Sequence, residues 1–166
     1  IYGVSAPLYE KMRDGGFHDN VLIYSLPGHG KTTLLRELIP LLASGENALR
    51  IAVIDTRCEL YGTTEDDMAD VLFGYPRALG METAIRTLSP QMILCDELMT
   101  TEDLTALESC VRCGIPVCAT MHAAAPSGID TAFRRHFSLF CAVTRTADGE
   151  HRYTYQRKEG ERLCTV

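Results

Sequence analysis

Short apolar runs alternate along the chain with segments whose apolar residues recur at helical spacing. The apolar runs predict strands at residues 21–25, 49–54, 92–95, 116–121 and 139–145. The segments with helical spacing predict helices at residues 6–12, 31–42, 81–88, 101–113 and 128–137. Asp148-Gly149 marks a tight turn into a returning, alternating strand at residues 152–156. This alternation favours an α/β fold with a mostly parallel sheet flanked by helices, plus a C-terminal β-hairpin.

A glycine-rich stretch separates the first predicted strand from the next helix. Residues 25–32, the glycine loop, read Ser-Leu-Pro-Gly-His-Gly-Lys-Thr, close to the phosphate-binding pattern G-x-x-x-x-G-K-[ST]. Glycines let successive N–H groups turn toward phosphate oxygens, and the helix start favours the same negative charge. Lys31 supplies a mobile charge for the β- and γ-phosphates, and the Thr32 hydroxyl can ligate Mg²⁺. We expect ATP or ADP to be bound by Pro27, Gly28, His29, Gly30, Lys31, Thr32 and Thr33.

Polar residues that follow other predicted strands complete the expected site. In open α/β sheets, ligands bind beyond the carboxyl ends of the strands. Asp96 and Glu97 follow the run 92–95, so we expect Asp96 to hold Mg²⁺ and Glu97 to orient the attacking water as a general base. His122 follows the strand 116–121 and is expected to sense the γ-phosphate, with Thr120 as a second sensor. The predicted catalytic residues are Lys31, Glu97, His122 and Arg86, and the predicted magnesium ligands are Thr32 and Asp96.

Two further groups of residues leave more than one interpretation open. Asp55, Arg57 and Glu59 follow the second predicted strand, where they either reach a ligand or form a solvated loop. Arg86 either faces the phosphates or a neighbouring subunit, or is an ordinary arginine on a helix surface. Ser25 replaces the first glycine of the phosphate-binding pattern, and a positive φ there would cost about 1 kcal/mol.

The cysteines raise the alternative of a zinc site. Cys110, Cys113, Cys118 and His122 have ligand types that zinc accepts. Cys110 and Cys113 nevertheless fall on a predicted helix and Cys118 in a predicted buried strand, which favours ordinary core cysteines. Seven cysteines, an odd number scattered through apolar segments, indicate reduced thiols in the cytoplasm.

Length and charge narrow the class of protein. The 166 residues, 46% hydrophobic and 23% charged, favour one globular domain over residues 1–166, with a lead-in at 1–20 and an appended strand and hairpin at 138–157. The net charge of −6 argues against broad nucleic-acid binding. The first residue is Ile1, so we expect a piece of a longer chain.

In combination, these segments resemble the stage III sporulation protein AA ATPases, relatives of the type II and type IV secretion ATPases. The similarity spreads over residues 1–146 and includes the glycine loop. Residues 53–59 are similar to the family's Asp-Glu-Arg-Ser-Glu segment, and residues 70–81 are similar to a segment distinctive of this family. Residues 85–90, which lead into Asp96-Glu97, and residues 119–122 also match.

The resemblance implies a RecA-like ATPase core in which strand 116–121 lies between the strands that precede the glycine loop and Asp96. His122 would then arrive beside Glu97. It also implies a cytoplasmic motor, peripheral to the membrane through partner proteins, that acts as a hexamer on the membrane channel of a sporulation complex. The chain departs from the family at Ser25, at Thr56 and after Glu97, where Leu98-Met99-Thr100-Thr101 stands in place of the Ile-Gly-Arg that the family tends to carry, so that a catalytic arginine is missing.

A Mg²⁺-dependent ATPase that powers assembly or secretion through a sporulation envelope channel is therefore the leading functional hypothesis. The alternatives are a nucleotide-dependent switch or scaffold with little hydrolysis, and a small-molecule kinase, for which no arginine-rich lid is evident.

Overall fold

Eight strands form one sheet within residues 3–60, 69–160 and 162–166, which are the residues that the computed structural model describes. The strands are β1 (Val21–Ser25), β2 (Ile51–Asp55), β3 (Ala69–Phe73), β4 (Met92–Cys95), β5 (Val117–His122), β6 (Leu139–Arg145), β7 (His151–Glu159) and β8 (Arg162–Thr165). The α-helices are α1 (Ala6–Asp14), α2 (Lys31–Ala43), α3 (Arg77–Thr87), α4 (Thr101–Arg112) and α5 (Thr131–Arg134).

The sheet is parallel over most of its width and antiparallel at one end. Its spatial order is β3-β2-β4-β5-β1-β6-β7-β8, with parallel pairing from β3 through β6 and antiparallel pairing from β6 to β8. The predicted α/β fold with a C-terminal hairpin is confirmed. β5 lies between β1 and β4, as the resemblance implied, and Ser25 is level with His122. The carboxyl ends of these three strands therefore meet at one edge of the sheet.

Helices cover both faces of the sheet and bury its centre. β1, β2 and β4 are buried at every position, which explains their continuous apolar sequences. Leu22 packs on the side that α3 and α4 cover, and Ile23 packs on the side that α1 and α2 cover. Burying one large aliphatic side chain contributes about 1.5–3 kcal/mol, so these strands hold the edge of the sheet firmly.

α3 approaches β2 closely at Gly80. A Cβ atom at Gly80 would lie 2.6 Å from Cγ2 of Ile54, too near for a larger residue. A glycine inside a helix costs about 1 kcal/mol relative to alanine, and the close approach explains its presence here. The contact holds the first turn of α3 beside the end of β2 and brings Arg77, the first residue of α3, to the same edge of the sheet.

Several elements differ from the sequence prediction. The helix predicted at residues 128–137 is wrong in extent: a 3₁₀ turn at Pro126–Gly128 comes first, Ile129 is extended, and Asp130 caps the short α5. β3 and β8 were not predicted, and β7 is longer than the predicted strand 152–156. α3 begins at Arg77 rather than at residue 81, directly after Pro76. In the described part of the chain, no helix combines the length and apolarity needed to cross a membrane.

Candidate functional site

The glycine loop joins β1 to α2 and contains two glycines with left-handed backbone angles. Gly28 and Gly30 have φ of +76° and +88°, angles that side chains with a Cβ resist. Ser25 is the last residue of β1 and is not among the residues with positive φ. Serine is therefore accepted there without the strain considered above. Of the other predicted nucleotide-binding residues, Pro27 and Thr33 are exposed, and His29 and Thr32 are partly buried.

Lys31 begins α2 and folds back over the glycine loop. Its Nζ lies 2.9 Å from Nδ1 of His122, 3.2 Å from Oγ of Ser25 and 3.4 Å from the carbonyl oxygens of Ser25 and Leu26. Burial lowers the pKa of Lys31, while the negative charge of Glu97 acts in the opposite direction. Since an ammonium group only donates hydrogen bonds, Nδ1 of His122 must accept, and Nε2 carries the ring proton in the neutral form.

His122 and Arg57 together engage both oxygens of the Glu97 carboxylate. Nε2 of His122 lies 2.6 Å from Oε1, and Nη2 of Arg57 lies 2.5 Å from Oε2. Burial raises the pKa of Glu97, but the hydrogen bond from His122 and the charge of Arg57 outweigh burial and leave that pKa below its usual value. Lys31, His122, Glu97 and Arg57 therefore form a continuous polar chain with an ionised carboxylate in it.

The backbone of Glu97 is held in an uncommon conformation. Its φ is +41°, which costs a residue with a side chain about 1–2 kcal/mol. The Glu97 N–H donates to Oγ1 of Thr120 at 2.8 Å, and the Leu98 N–H donates to the Thr120 carbonyl at 3.0 Å. Thr120 is fully buried in β5. In this arrangement its hydroxyl contacts the backbone of Glu97, and it thereby fixes the direction of the Glu97 side chain.

Asp96 is buried beside an arginine that sequence reasoning missed. Oδ1 of Asp96 and Nε of Arg77 both lack a hydrogen-bond partner among the described residues, and they lie 3.9 Å apart. Burial raises the pKa of Asp96, and the charge of Arg77 offsets this in part. Nη1 of Arg77 lies 2.8 Å from Oδ2 of Asp103, which also accepts the Thr100 N–H in the capping box of α4.

In the turn after β2, Asp55 and the backbone of Glu59 make contacts that hold the turn, whereas the Arg57 side chain reaches out to Glu97. The buried carboxylate of Asp55 accepts the Glu59 N–H at 2.9 Å and the Leu60 N–H at 3.0 Å. Arg36 of α2 donates to the Glu59 carbonyl, with Nε at 2.9 Å. Asp55 therefore shapes the turn, and Arg57 reaches Glu97 from it.

Arg86 lies apart from the residues described above. It is exposed in the last turn of α3, nine residues after Arg77, which corresponds to roughly 13 Å along a helix axis. The catalytic role predicted for Arg86 stays a prediction, and in this position it would have to be exerted on a neighbouring subunit.

The four candidate zinc ligands do not come together. Cys110 packs in the core on one face of the sheet and Cys118 in the core on the other face. Cys113 is exposed, and His122 contacts Lys31 and Glu97. These cysteines fit the interpretation as ordinary core and surface residues.

The arrangement of strands and helices is that of RecA-like secretion ATPases. The chain superposes on the ATPase DotB of Legionella pneumophila with a TM-score of 0.60 and 20% identity, covering 87% of this chain and 47% of DotB. It superposes on the VirB11 ATPase of the Brucella suis type IV secretion system with a TM-score of 0.62 and 16% identity, covering 89% of this chain and 53% of VirB11. Identities this low show the fold alone.

Sequence similarity defines the family. Residues 5–141 match the family described as sporulation stage III, protein AA. Stage III sporulation protein AA of Bacillus subtilis (strain 168) is 31% identical over 130 residues, which cover 72% of this chain and 42% of that protein. The chain belongs to the sporulation stage III protein AA family, as its motifs indicated. It spans less than half the length of this relative.

Proposed function

We propose that the chain is a Mg²⁺-dependent ATPase core that converts ATP and water into ADP and phosphate. The observation that carries the proposal is the contact chain from Lys31 through His122 to Glu97, with distances of 2.9 and 2.6 Å. It joins the glycine loop to the acidic residues after β4. The family membership and the secretion-ATPase fold support the same proposal.

Thr32 and Asp96 suit the coordination that Mg²⁺ takes beside nucleotide phosphates. Asp96 offers a buried carboxylate oxygen without a hydrogen-bond partner in the described part of the chain, and the Thr32 hydroxyl follows Lys31 at the start of α2. Mg²⁺ at such sites is usually bound by one or two protein side chains, with water and phosphate oxygens as its other ligands. Bound Mg²⁺ would supply neutralisation of the phosphate charge.

In the proposed reaction, the side chains of the contact chain orient the reactants and move one proton. Lys31 leaves its resting partners for the β- and γ-phosphate oxygens. Glu97 accepts a proton from water as the water oxygen bonds to the γ-phosphorus. The bond from that phosphorus to the bridging oxygen breaks, which releases ADP and inorganic phosphate. The Nε2–H of His122 holds the Glu97 carboxylate in position throughout.

ATP hydrolysis by the wild type and by Glu97→Gln tests this function, with the exposed Glu46→Gln as a matched control. We expect phosphate release that requires Mg²⁺, disappears in Glu97→Gln and persists in Glu46→Gln. Release no faster than that of Glu97→Gln, at every protein concentration tested, would contradict hydrolysis. Tight binding of a non-hydrolysable ATP analogue in that case would favour a nucleotide-dependent switch, a role that the engagement of both Glu97 oxygens also fits.

We further propose that this core acts in a homo-oligomer, with the secretion ATPases and the family membership as support. A hexamer that is cytoplasmic, peripheral to the membrane and bound to the channel proteins of a sporulation complex is the specific form of this proposal. Turnover measured over a concentration series, with particle mass from light scattering, tests it. If sites are completed between subunits, turnover per chain rises as the oligomer forms, and Arg86→Ala reduces only that increase.

A further inference from the structure

Arg57 is paired with Glu97, and a phosphate bound nearby would compete with that carboxylate for the Arg57 guanidinium. Its Nη2 lies 2.5 Å from Oε2 of Glu97, on the carboxylate that reaches Lys31 through His122. A water held between Glu97 and a terminal phosphate contacts the carboxylate from one side and the phosphate from the other. The guanidinium of Arg57 therefore lies against the carboxylate that such a water would contact.

The ion pair with Arg57 also makes Glu97 a weaker general base. The positive charge of Arg57 lowers the proton affinity of the Glu97 carboxylate. Its guanidinium also contacts Oε2, the carboxylate oxygen that His122 does not contact. Glu97 is a stronger base once the positive charge of Arg57 has moved from the carboxylate to the phosphate. At the phosphate, the same positive charge stabilises the negative charge that develops as water adds.

The turn that carries Arg57 is anchored, while about half of the Arg57 side chain is exposed to solvent. Asp55 ties down the N–H groups of Glu59 and Leu60, and Arg36 binds the Glu59 carbonyl. The side chain of Arg57 is 52% exposed, against 13% for Glu97. A change of rotamer can therefore redirect the guanidinium without moving the backbone.

We propose that Arg57 is a phosphate-binding catalytic residue, which pairs with Glu97 at rest and moves to the terminal phosphate when ATP binds. This inference rests on the proposed ATPase function and names a residue for it. A guanidinium suits the task because its planar fork binds two phosphate oxygens at once and stays charged. The exchange of partners involves no covalent step.

Binding of ADP and of a non-hydrolysable ATP analogue to Arg57→Ala, in the presence of Mg²⁺, tests the proposal. Only the ATP analogue has a terminal phosphate for Arg57. We expect its affinity to fall about tenfold or more, with ADP affinity changed by less than about twofold, and Arg57→Lys to recover part of the loss. Arg50→Ala, an exposed arginine just before the opposite end of β2, should change neither affinity.

A second comparison removes the resting partner of Arg57. In Glu97→Gln, Arg57 is released, so the ATP analogue should bind about threefold tighter or more than to wild type. The double variant Glu97→Gln/Arg57→Ala should lose this gain. An equal gain in the double variant would mean that removing the negative charge alone helps phosphate binding, and it would overturn the proposal.

The rate of ATP hydrolysis shows whether Arg57 assists catalysis or only restrains Glu97. We expect Arg57→Ala to lower turnover at saturating ATP, whereas faster turnover would show that Arg57 only holds the base back and would refute the proposal. Equal losses of ADP and ATP-analogue affinity, or no change in either, would also refute it. If wild type binds the analogue but does not hydrolyse ATP, the proposed hydrolysis fails and the binding comparisons still decide on Arg57. If wild type binds no nucleotide, both proposals fail.

Discussion

Replacing Thr120 with valine tests how Glu97 is held in place. Valine has nearly the shape of threonine and keeps the β-branch in the centre of β5, so packing changes little. The substitution removes the oxygen that accepts the Glu97 N–H at 2.8 Å. A partly buried donor left unpaired costs about 1–3 kcal/mol. Glu97 can recover about 1–2 kcal/mol by leaving its φ of +41°, but its carboxylate then moves away from His122.

We therefore expect a small loss of stability and a large loss of turnover in Thr120→Val. Unfolding free energy should fall by about 1 kcal/mol, and turnover by about tenfold or more, because displacing a catalytic group slightly is costly. Urea unfolding followed by far-UV circular dichroism measures the first quantity, since the chain contains no tryptophan. Phosphate release at saturating ATP measures the second, with ADP affinity as a check on the glycine loop.

Thr120→Ser is the matched control. It keeps the hydroxyl and loses one methyl group, so it should cost about 1 kcal/mol of stability and leave turnover close to wild type. The two variants thus lose similar stability and differ in turnover. Equal turnover in Thr120→Val and Thr120→Ser would refute the claim that the hydroxyl positions Glu97.

Two further predictions concern the buried ion pair and the thiols. In Asp103→Asn, the nearly buried Arg77 loses the negative charge that lies 2.8 Å away, so the free energy of unfolding measured in urea should fall by about 3 kcal/mol. The control is Asp130→Asn at the exposed N-cap of α5, which should cost less than about 1 kcal/mol. Equal losses in the two variants would contradict the argument from burial. Burial raises the pKa of Cys110 and Cys141 to about 12, so these thiols stay protonated and should resist alkylation near neutral pH, where thiolate is the reactive form. Mass spectrometry after brief alkylation should find label first on the exposed thiols, Cys58 and Cys113, and fast labelling of Cys110 would contradict this reasoning.

Buried elements of the fold were predictable because their sequences carry strong local signals. β1 and β4 are buried throughout and follow uninterrupted apolar runs, and α2 begins at Lys31 as predicted. β3 was missed because it is an edge strand with no fully buried residue, so its sequence combines polar and apolar positions. The helix predicted at residues 128–137 failed because Asp130, a residue type preferred at the N-cap, begins the short α5 at Thr131 instead of lying inside a longer helix.

The placement of the candidate site residues was predictable where a motif names them and not where distant segments meet, and their roles stay predictions. Lys31, Asp96 and Glu97 stand at fixed places beside strands, whereas the position of His122 beside Glu97 depended on a strand order that periodicity does not reveal. Arg77 carries no motif. Its partner Asp103 is 26 residues away, and the pair exists because α3 and α4 begin at the same edge of the sheet.

That pair also links the site to the two helices that cover one face of the sheet. Arg77 is the first residue of α3, and Asp103 lies in the first turn of α4. Helices of 11 and 12 residues are roughly 16–18 Å long, and these two pack against each other on one face of the sheet. Through Arg77, Asp96 is thus connected to the first turns of two adjacent helices, whose far ends carry Arg86 and Arg112.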